Sequence, residues 1–354
     1  MANKHNVLIL GASYGSLLGT KLAMGGHDAT MVCLPAEVAA FNADGAIVRI
    51  PIKGREGLVE INSKSLPGKL GAAGTADVDP AKFDLIVLAM QEPQYGSPGV
   101  RELTQRVAKS GTPCMSIMNM PPLTYLKRIP GLDTSQLRAC FTDAAVWDAF
   151  DPKLMTLCSP DPQAFRPPDE KVNVLQVRLP TNFKSARFED AANTRILKDL
   201  ETDVEAARFE VDGKALEVPV KLKVHDSVFV PLAKWAMLTA GNYRCVGKDG
   251  MRPIKEAVHD DIDTSRKVYD WVVKLCIGLG ANPNDLVPFE KYANAALSLG
   301  SPSSAARALA AGARNIERVD LLVKNIAAQR GERLDELDRT VELVEHWLAK
   351  NRAA

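Results

Sequence analysis

The residues best suited to chemistry lie close to the amino terminus, where an apolar stretch runs straight into small residues and then into a helical pattern. Residues 6–19 read NVLILGASYGSLLG, and a second apolar run follows at residues 29–33. Backbone N–H groups at the start of such a helix can approach a phosphate closely, because small side chains leave room and the helix dipole favours negative charge. The stretch therefore predicts a nucleotide site in a strand, turn and helix that open a βαβ unit.

The turn matches the dinucleotide pattern G-x-G-x-x-G only in part. Gly11 takes the first place, Ser13 the second, and either Gly15 or Ser16 the third, with Tyr14 between them. Ser13 adds a Cβ and a hydroxyl where bare backbone is usual. We predict that the Gly11 to Gly15 turn binds the pyrophosphate of a dinucleotide. The alternative is a turn that only packs a helix on a sheet.

The same residues also spell G-x-S-x-G, the pattern of a hydrolase nucleophile elbow. In such enzymes an earlier loop supplies the second oxyanion donor, and here only about ten residues precede the motif. His225, His259 and His346 could each be the base, but none lies in a recognisable setting. A serine hydrolase is therefore a distant alternative.

The elements around this turn alternate between near-continuous apolar runs, such as residues 85–90 and 114–118, and helical patterns. Such runs indicate a parallel sheet covered on both faces, which predicts an α/β fold with an N-terminal doubly wound, Rossmann-type sheet. Alternating stretches and clustered prolines suggest added strands in residues 151–224. At 354 residues, we predict two domains: a dinucleotide-binding domain over 1–224, extended by its last segment, and an all-helical domain over 225–354.

The last helical pattern carries a narrow apolar seam. Apolar side chains recur there at spacings of three and four, at Leu334, Leu337, Val341, Val344 and Leu348. A seam of this kind predicts packing inside the helical domain. A homodimer contact through it is the alternative.

Composition narrows the class of partner. Lys and Arg total 44 and Asp and Glu total 43, and the basic residues are scattered, which argues against nucleic acid and an anionic membrane. No apolar run reaches about eighteen residues, and the amino terminus lacks the features of a signal peptide. The six cysteines form no C-x-x-C pair and indicate core positions. We expect a cytoplasmic protein without a metal site, whose partner is a small molecule.

One lysine lies in an otherwise apolar stretch, VFVPLAKWAMLTA, which predicts a buried helix over residues 228–240. Lys234 must either extend its ammonium to the surface from a helix boundary or occupy a site that uses its charge. Burial among Phe229, Trp235 and Leu238 would lower its pKa toward neutrality, which suits a general acid.

A dinucleotide turn, a parallel sheet and a helical second half, in this order, resemble the ketopantoate reductase family. Four segments carry the likeness, which covers most of the chain except residues 151–224: GASYGSLLGTKLAMGGHDATMV, with one residue missing from the glycine turn, FDLIVLAMQEPQY, CMSIMNMPPL and SSAARALAAGARNIERVD. The resemblance implies an NADP-dependent oxidoreductase of pantothenate biosynthesis that reduces a 2-oxo acid, with a lysine ammonium as proton donor. Lys234 matches the family's lysine.

The resemblance also implies residues that bind the substrate. Asn242, eight positions after Lys234, matches a substrate-binding asparagine, although a helix C-cap is the alternative there. Ser304 matches a serine that binds the substrate's carboxylate. Leu238 stands where the family has a further asparagine, which removes one polar contact and points to a divergent member with another substrate.

A carboxylate near residue 317 completes the implied set. Glu317 matches the family's carboxylate, which holds the substrate's hydroxyl and helps to position the lysine, and Asp320 competes for this role. The alternative is that Glu317, Arg314 and Arg318 form a solvated charged face, which is the commoner fate of such residues.

Two polar residues follow predicted strands, at the edge where open α/β sheets place their ligands. The resemblance implies that Asn119 contacts the cofactor near the nicotinamide. Gln91 stands where the family usually has a lysine, and the resemblance implies that it also binds the cofactor, through its amide. The usual landmark of cofactor choice is missing, because Leu34 and Pro35 follow the second apolar run and Glu37 comes two residues late. The family uses NADPH, and we predict NADPH here, with NADH left open.

Two further functions stay open at this point. Because three expected site positions are altered, a nucleotide-binding sensor without catalysis is one alternative, and the retained lysine argues against it. An opine-type dehydrogenase is the other, and it would require an amino acid as co-substrate.

Overall fold

The computed structural model describes residues 3–354, and contacts divide the chain into two compact units. The first unit comprises the residues up to Met90, Gln94–Met118 and Val146–Asp226. The second unit comprises Gln91–Pro93, Asn119–Ala145 and Ser227–Ala354. Two short segments of the amino-terminal half therefore group with the carboxyl-terminal helices.

The first unit is built on an eight-stranded sheet with the order β14-β11-β8-β7-β6-β1-β2-β5. Its strands are β1 (Asn6–Leu10), β2 (Asp28–Val32), β5 (Leu70–Ala73), β6 (Leu85–Leu88), β7 (Cys114–Ile117), β8 (Met155–Ser159), β11 (Phe183–Ala186) and β14 (Leu222–His225). The remaining strands of this unit are β3 (Ile47–Pro51), β4 (Leu58–Asn62), β9 (Gln163–Phe165), β10 (Val174–Leu179), β12 (Phe209–Val211) and β13 (Lys214–Leu216).

The α-helices follow the pattern that the sequence predicts, alternating with strands at first and succeeding one another later. They are α1 (Ser13–Met24), α2 (Pro35–Asp44), α3 (Val100–Ser110), α4 (Leu123–Leu126), α5 (Ala191–Ala206), α6 (Lys234–Met237), α7 (Ile254–His259), α8 (Ile262–Gly278), α9 (Phe289–Ala296), α10 (Ser304–Ala310), α11 (Val319–Gln329) and α12 (Asp335–Ala353). Of these helices, none is long and apolar enough to cross a bilayer.

The centre of the sheet confirms the predicted α/β class. Strand β1 pairs in parallel with β2 and with β6, and β6 pairs in parallel with β7. The side chains of Val7 to Leu10 and of Leu85 to Leu88 are completely buried. Strands buried on both faces are why these stretches read as continuous apolar runs. The sheet is mixed only toward one side, where β11 pairs antiparallel with β8.

Residues 151–224 belong to the first unit and enlarge it in two ways. Strands β8, β11 and β14 continue the main sheet, whereas β9 and β10 join β3 and β4 in a second sheet of order β4-β3-β10-β9. The strands that the sequence suggests in this segment are present, and β10 is one of them. Strand β14 forms one edge of the main sheet, whereas β12 and β13 form a separate hairpin.

The apolar stretch around Lys234 is helical and mostly buried, but it is not one regular α-helix. A 3₁₀ turn at Pro231–Ala233 leads into α6, a π-helical turn follows at Leu238–Asn242, and a second 3₁₀ turn ends at Cys245. The Tyr292 hydroxyl donates to the Met237 carbonyl at 3.0 Å. A Cβ at Gly241 would stand 1.9 Å from that hydroxyl, so only glycine fits there. Such π-turns recur at functional sites.

The carboxyl-terminal seam packs inside the second unit. Helix α12 contacts α8, α10 and α11 of the same unit. The seam residues are all buried: Leu334, Leu337, Val341, Val344 and Leu348. This agrees with the predicted packing within the helical domain and leaves little of the seam for a second chain.

Candidate active site

The predicted nucleotide turn joins β1 to α1 in the first unit. Gly11 has a φ of +108°, in the region that favours glycine. A Cβ at this position would lie 2.7 Å from the Ala89 carbonyl oxygen and equally close to the Met90 side chain. Glycine is therefore required by the local backbone whether or not a ligand binds.

The serine in the middle of the turn does not fill it. Ser13 is the first residue of α1 and is exposed. Gly15, rather than Ser16, provides close packing between helix and strand, because its Cβ would stand 2.8 Å from the Ile9 side chain. The helix begins with Ala12 as N-cap, which offers no side-chain cap, and its first turn carries no acidic residue. These features fit an anion at the start of α1.

Five of the residues that the resemblance implies converge on one cavity in the second unit. The cavity is small, with a volume of about 20 Å³, which is room for about one water molecule as the side chains stand. It is lined by Gln91, Asn119, Leu238, Asn242, Tyr243, Ser304, Ala305, Ala308, Ile316 and Glu317. The lining thus combines amide, hydroxyl and carboxyl groups with a small apolar wall.

Glu317 is the most constrained polar residue of this cavity. Its carboxyl group accepts hydrogen bonds from the Asn119 side-chain amide at 3.2 Å and from the Glu92 backbone N–H at 3.4 Å. Burial raises its pKa from 4.5 to about 7, against the opposing effect of these hydrogen bonds. The alternative of a solvated charged face is wrong for Glu317, because the residue is 7% exposed.

Asp320, the other candidate for the site carboxylate, is paired with an arginine. Asp320 is completely buried and receives two hydrogen bonds from the Arg318 guanidinium, each 3.0 Å long. Arg318 pairs in addition with Glu345. This bidentate pair satisfies both carboxylate oxygens, and Asp320 does not line the cavity.

The other implied residues occupy distinct backbone settings. Asn242 keeps a right-handed helical backbone between the π-helical turn and the following 3₁₀ turn, so it is not the C-cap that the alternative predicted. Ser304 opens α10, while the preceding residue, Ser303, accepts the capping hydrogen bond. Ser303 also donates to the Asn242 carbonyl at 2.7 Å, which ties these two parts of the cavity wall together.

Lys234 does not line the cavity as these side chains stand. It opens α6 and is half-buried, and the apolar neighbours that the sequence named, Phe229, Trp235 and Leu238, are buried. Leu238 lies one helical turn further along and lines the cavity. Lys234 therefore lies on the helix that forms one wall of the cavity.

Sequence reasoning missed two buried residues that hold Glu317. The Tyr243 hydroxyl donates to the Glu317 carbonyl and accepts from the Val319 backbone N–H at 3.0 Å. Glu92 lies beside the Glu317 carboxyl group and accepts from the Thr142 N–H, and burial raises its pKa. Their positions directly after Asn242 and Gln91 were the available signal.

Comparisons with known proteins support the fold. No protein-family model matches the chain, and no curated protein sequence matches it significantly. Among solved structures, a PanE/ApbA family ketopantoate reductase from Ralstonia eutropha superposes with a TM-score of 0.65 at 14% identity, covering 98% of this chain and 99% of that one.

Two further solved structures are similar over their whole length. A dimeric ketopantoate reductase from Staphylococcus aureus gives a TM-score of 0.59 at 10% identity, covering 98% of this chain and 99% of that chain. D-mandelate dehydrogenase with NADH and anilino(oxo)acetate gives 0.64 at 13% identity with the same coverage. The chain therefore has the fold of the ketopantoate reductases, the family that its sequence motifs resemble.

Proposed function

We propose that this protein is an NADPH-dependent oxidoreductase that reduces a 2-oxo acid to a 2-hydroxy acid. The observation that carries the proposal is the cavity of the second unit, where Gln91, Asn119, Asn242, Ser304 and Glu317 converge from four separate parts of the chain. The family resemblance assigns all five to cofactor or substrate.

The turn at Gly11 to Gly15 is proposed to hold the pyrophosphate. Its fit rests on the uncapped first turn of α1 and on the exposed, outward position of Ser13. Gln91 and Asn119 are proposed to contact the nicotinamide end. When bound, the cofactor supplies a hydride to C2 of the 2-oxo acid.

Residues of the chain then donate one proton and orient the 2-oxo acid. The Ser304 hydroxyl and the Asn242 amide are donors for the substrate's carboxylate. Lys234, whose side chain would have to turn toward the cavity, gives a proton to the oxygen at C2 as the C=O π electrons move onto that oxygen, so that an alcohol forms and the lysine is left neutral. Glu317 accepts a hydrogen bond from the new hydroxyl and positions the ammonium group.

The apolar wall indicates what kind of 2-oxo acid fits. Leu238, Ala305, Ala308 and Ile316 line the cavity, and their side chains offer no hydrogen-bond partner to a polar group of the substrate. We therefore expect a 2-oxo acid with an apolar side chain to be preferred over ketopantoate, which carries a hydroxyl group. A buried hydroxyl without a partner costs about 1–3 kcal/mol.

The test is turnover of a panel of 2-oxo acids, including ketopantoate, with NADPH and NADH. The Lys234→Ala variant is expected to lose most of its kcat while cofactor binding stays intact, and Lys255→Ala on α7 is the control. Unchanged turnover in Lys234→Ala would remove the lysine from the mechanism. Cofactor binding without turnover of any acid would favour the nucleotide-binding sensor, and a requirement for an amino acid would favour the opine-type dehydrogenase.

A homodimer and a cytoplasmic location also remain proposals. Because the α12 seam is buried within its own unit, a dimer would have to use another face. Sedimentation equilibrium of the purified chain tests the oligomeric state, and fractionation of cells tests the location.

A further inference from the structure

The carboxyl end of β2 is where a Rossmann-type sheet distinguishes its cofactors. A free carboxylate there binds the ribose 2′-hydroxyl of NAD, whereas an arginine accommodates the 2′-phosphate of NADP. In this chain Leu34 occupies the position and is 70% exposed. The sequence after β2 therefore supplies no basic residue of its own.

The tertiary structure brings an arginine to this position from residues 151–224. Arg166 follows β9 directly, and its guanidinium pairs with Glu37 across 129 residues of sequence. Glu37 belongs to the first turn of α2, and its other carboxylate oxygen accepts from the Leu34 N–H at 2.9 Å. The guanidinium thus stands beside the end of β2 within the first unit.

The hydrogen bonding of Arg166 and Glu37 suits a phosphate group better than the hydroxyl groups of a ribose. Both oxygens of the Glu37 carboxylate are already engaged, by Arg166 and by the Leu34 N–H. The Nη2 group of Arg166 is buried and has no hydrogen-bond partner. A buried guanidinium donor without an acceptor is costly, and an added phosphate would provide the acceptor.

We propose that Arg166 binds the 2′-phosphate of NADPH and that Glu37 positions its guanidinium. This assignment rests on the proposed function and identifies the residue that selects the cofactor. The segment that carries Arg166 thereby supplies the charge that is missing after β2. Without Arg166, the freed Glu37 carboxylate would repel a 2′-phosphate and accept the 2′-hydroxyl of NADH instead.

The experiment titrates NADPH and NADH by fluorescence, and 2′,5′-ADP and 5′-ADP by calorimetry, into the wild-type chain and Arg166→Gln. We expect the Kd for NADPH and for 2′,5′-ADP to rise about 10- to 100-fold, from the loss of a charge-assisted hydrogen bond. The Kd for NADH and 5′-ADP should stay the same or fall. Arg49→Gln is the matched control, because Arg49 also pairs with glutamates in this unit, on β3.

The outcomes separate this assignment from the proposed function. If the wild-type chain binds the nucleotides and Arg166→Gln weakens NADPH and NADH equally, or neither, the assignment is overturned while the function stands. If the wild-type chain binds neither dinucleotide, both fall. Should Arg166→Gln not fold, Arg166→Lys keeps the charge and loses the forked geometry, and a selective loss of NADPH affinity is again required.

Discussion

Glu317→Gln provides the sharpest test of the cavity, because it should stabilise the protein while damaging its site. Burial raises the pKa of Glu317 from 4.5 to about 7, so the folded chain holds this proton more tightly than the unfolded chain. Between these two values the folded state binds more protons, and its stability therefore falls as the pH rises. At about 1.4 kcal/mol for each pH unit, the ionised side chain costs about 3 kcal/mol above pH 7.

Glutamine resembles the protonated acid and escapes this cost. We expect the free energy of unfolding of Glu317→Gln, relative to wild type, to grow by about 2 kcal/mol or slightly more between pH 5 and pH 8.5. The assay is urea unfolding at several pH values across this range. In the same preparation, kcat/KM for the best 2-oxo acid should fall, since a neutral amide is a weaker acceptor for the product hydroxyl than a carboxylate and does not attract the Lys234 ammonium group.

Asp338→Asn is the control, because the pKa of Asp338 is shifted in the opposite direction from that of Glu317. Asp338 is buried in the same unit, and hydrogen bonds from Lys324 and Arg333 lower its pKa below the ordinary 3.8. Its stabilisation is fully present above pH 3.8, so the loss in Asp338→Asn should not vary between pH 5 and pH 8.5. A Glu317→Gln difference that is equally flat would refute the reasoning, because it would mean that Glu317 is ionised and well paired in the folded chain.

Three further substitutions test other buried features. Gly11→Ala should destabilise the chain more than Gly26→Ala in thermal unfolding, because both have a positive φ but only Gly11 has backbone within 3 Å of the added Cβ; equal losses would contradict this. Lys21→Met should stabilise the protein at pH 7, since burial lowers the pKa of the lysine to about 7. This gain in stability should shrink by about 2 kcal/mol by pH 9, because the folded wild-type lysine is then neutral, and a gain that grows with pH would contradict the prediction. Tyr243→Phe should cost about 1–3 kcal/mol in urea unfolding by leaving the Val319 N–H without its partner, and an unchanged midpoint would mean that water replaces the hydroxyl.

The Lys21 prediction depends on the burial of its ammonium group. The ammonium group of Lys21 donates to the Val218 carbonyl at 2.8 Å, and the residue is 2% exposed. Burial is the main cause of the lowered pKa, and the nearby Lys221 adds to it. Methionine keeps most of the side-chain volume and removes the charge, so the pH dependence isolates the electrostatic part.

Local features of the sequence determined the architecture. Apolar runs that are continuous over four or five residues must be buried on both faces, and these became the central parallel strands β1 and β6. Gly11 marked the first turn, because its φ of +108° lies in the region that favours glycine. The apolar pattern over residues 228–240 predicted a buried helix, and this stretch is helical, although it is not one regular α-helix. Each of these signals lies within one element and its neighbours in sequence.

Only the tertiary structure decided which polar groups meet. Glu317 and Asp320 are three residues apart, and sequence could not choose between them, because the setting of Glu317 depends on the distant partner Asn119, whereas Asp320 pairs with the neighbouring Arg318. Arg166 could not be placed beside Glu37 for the same reason. Hydrogen bonds and burial between residues more than one hundred positions apart depend on how sheets and helices pack, and no local pattern encodes that packing.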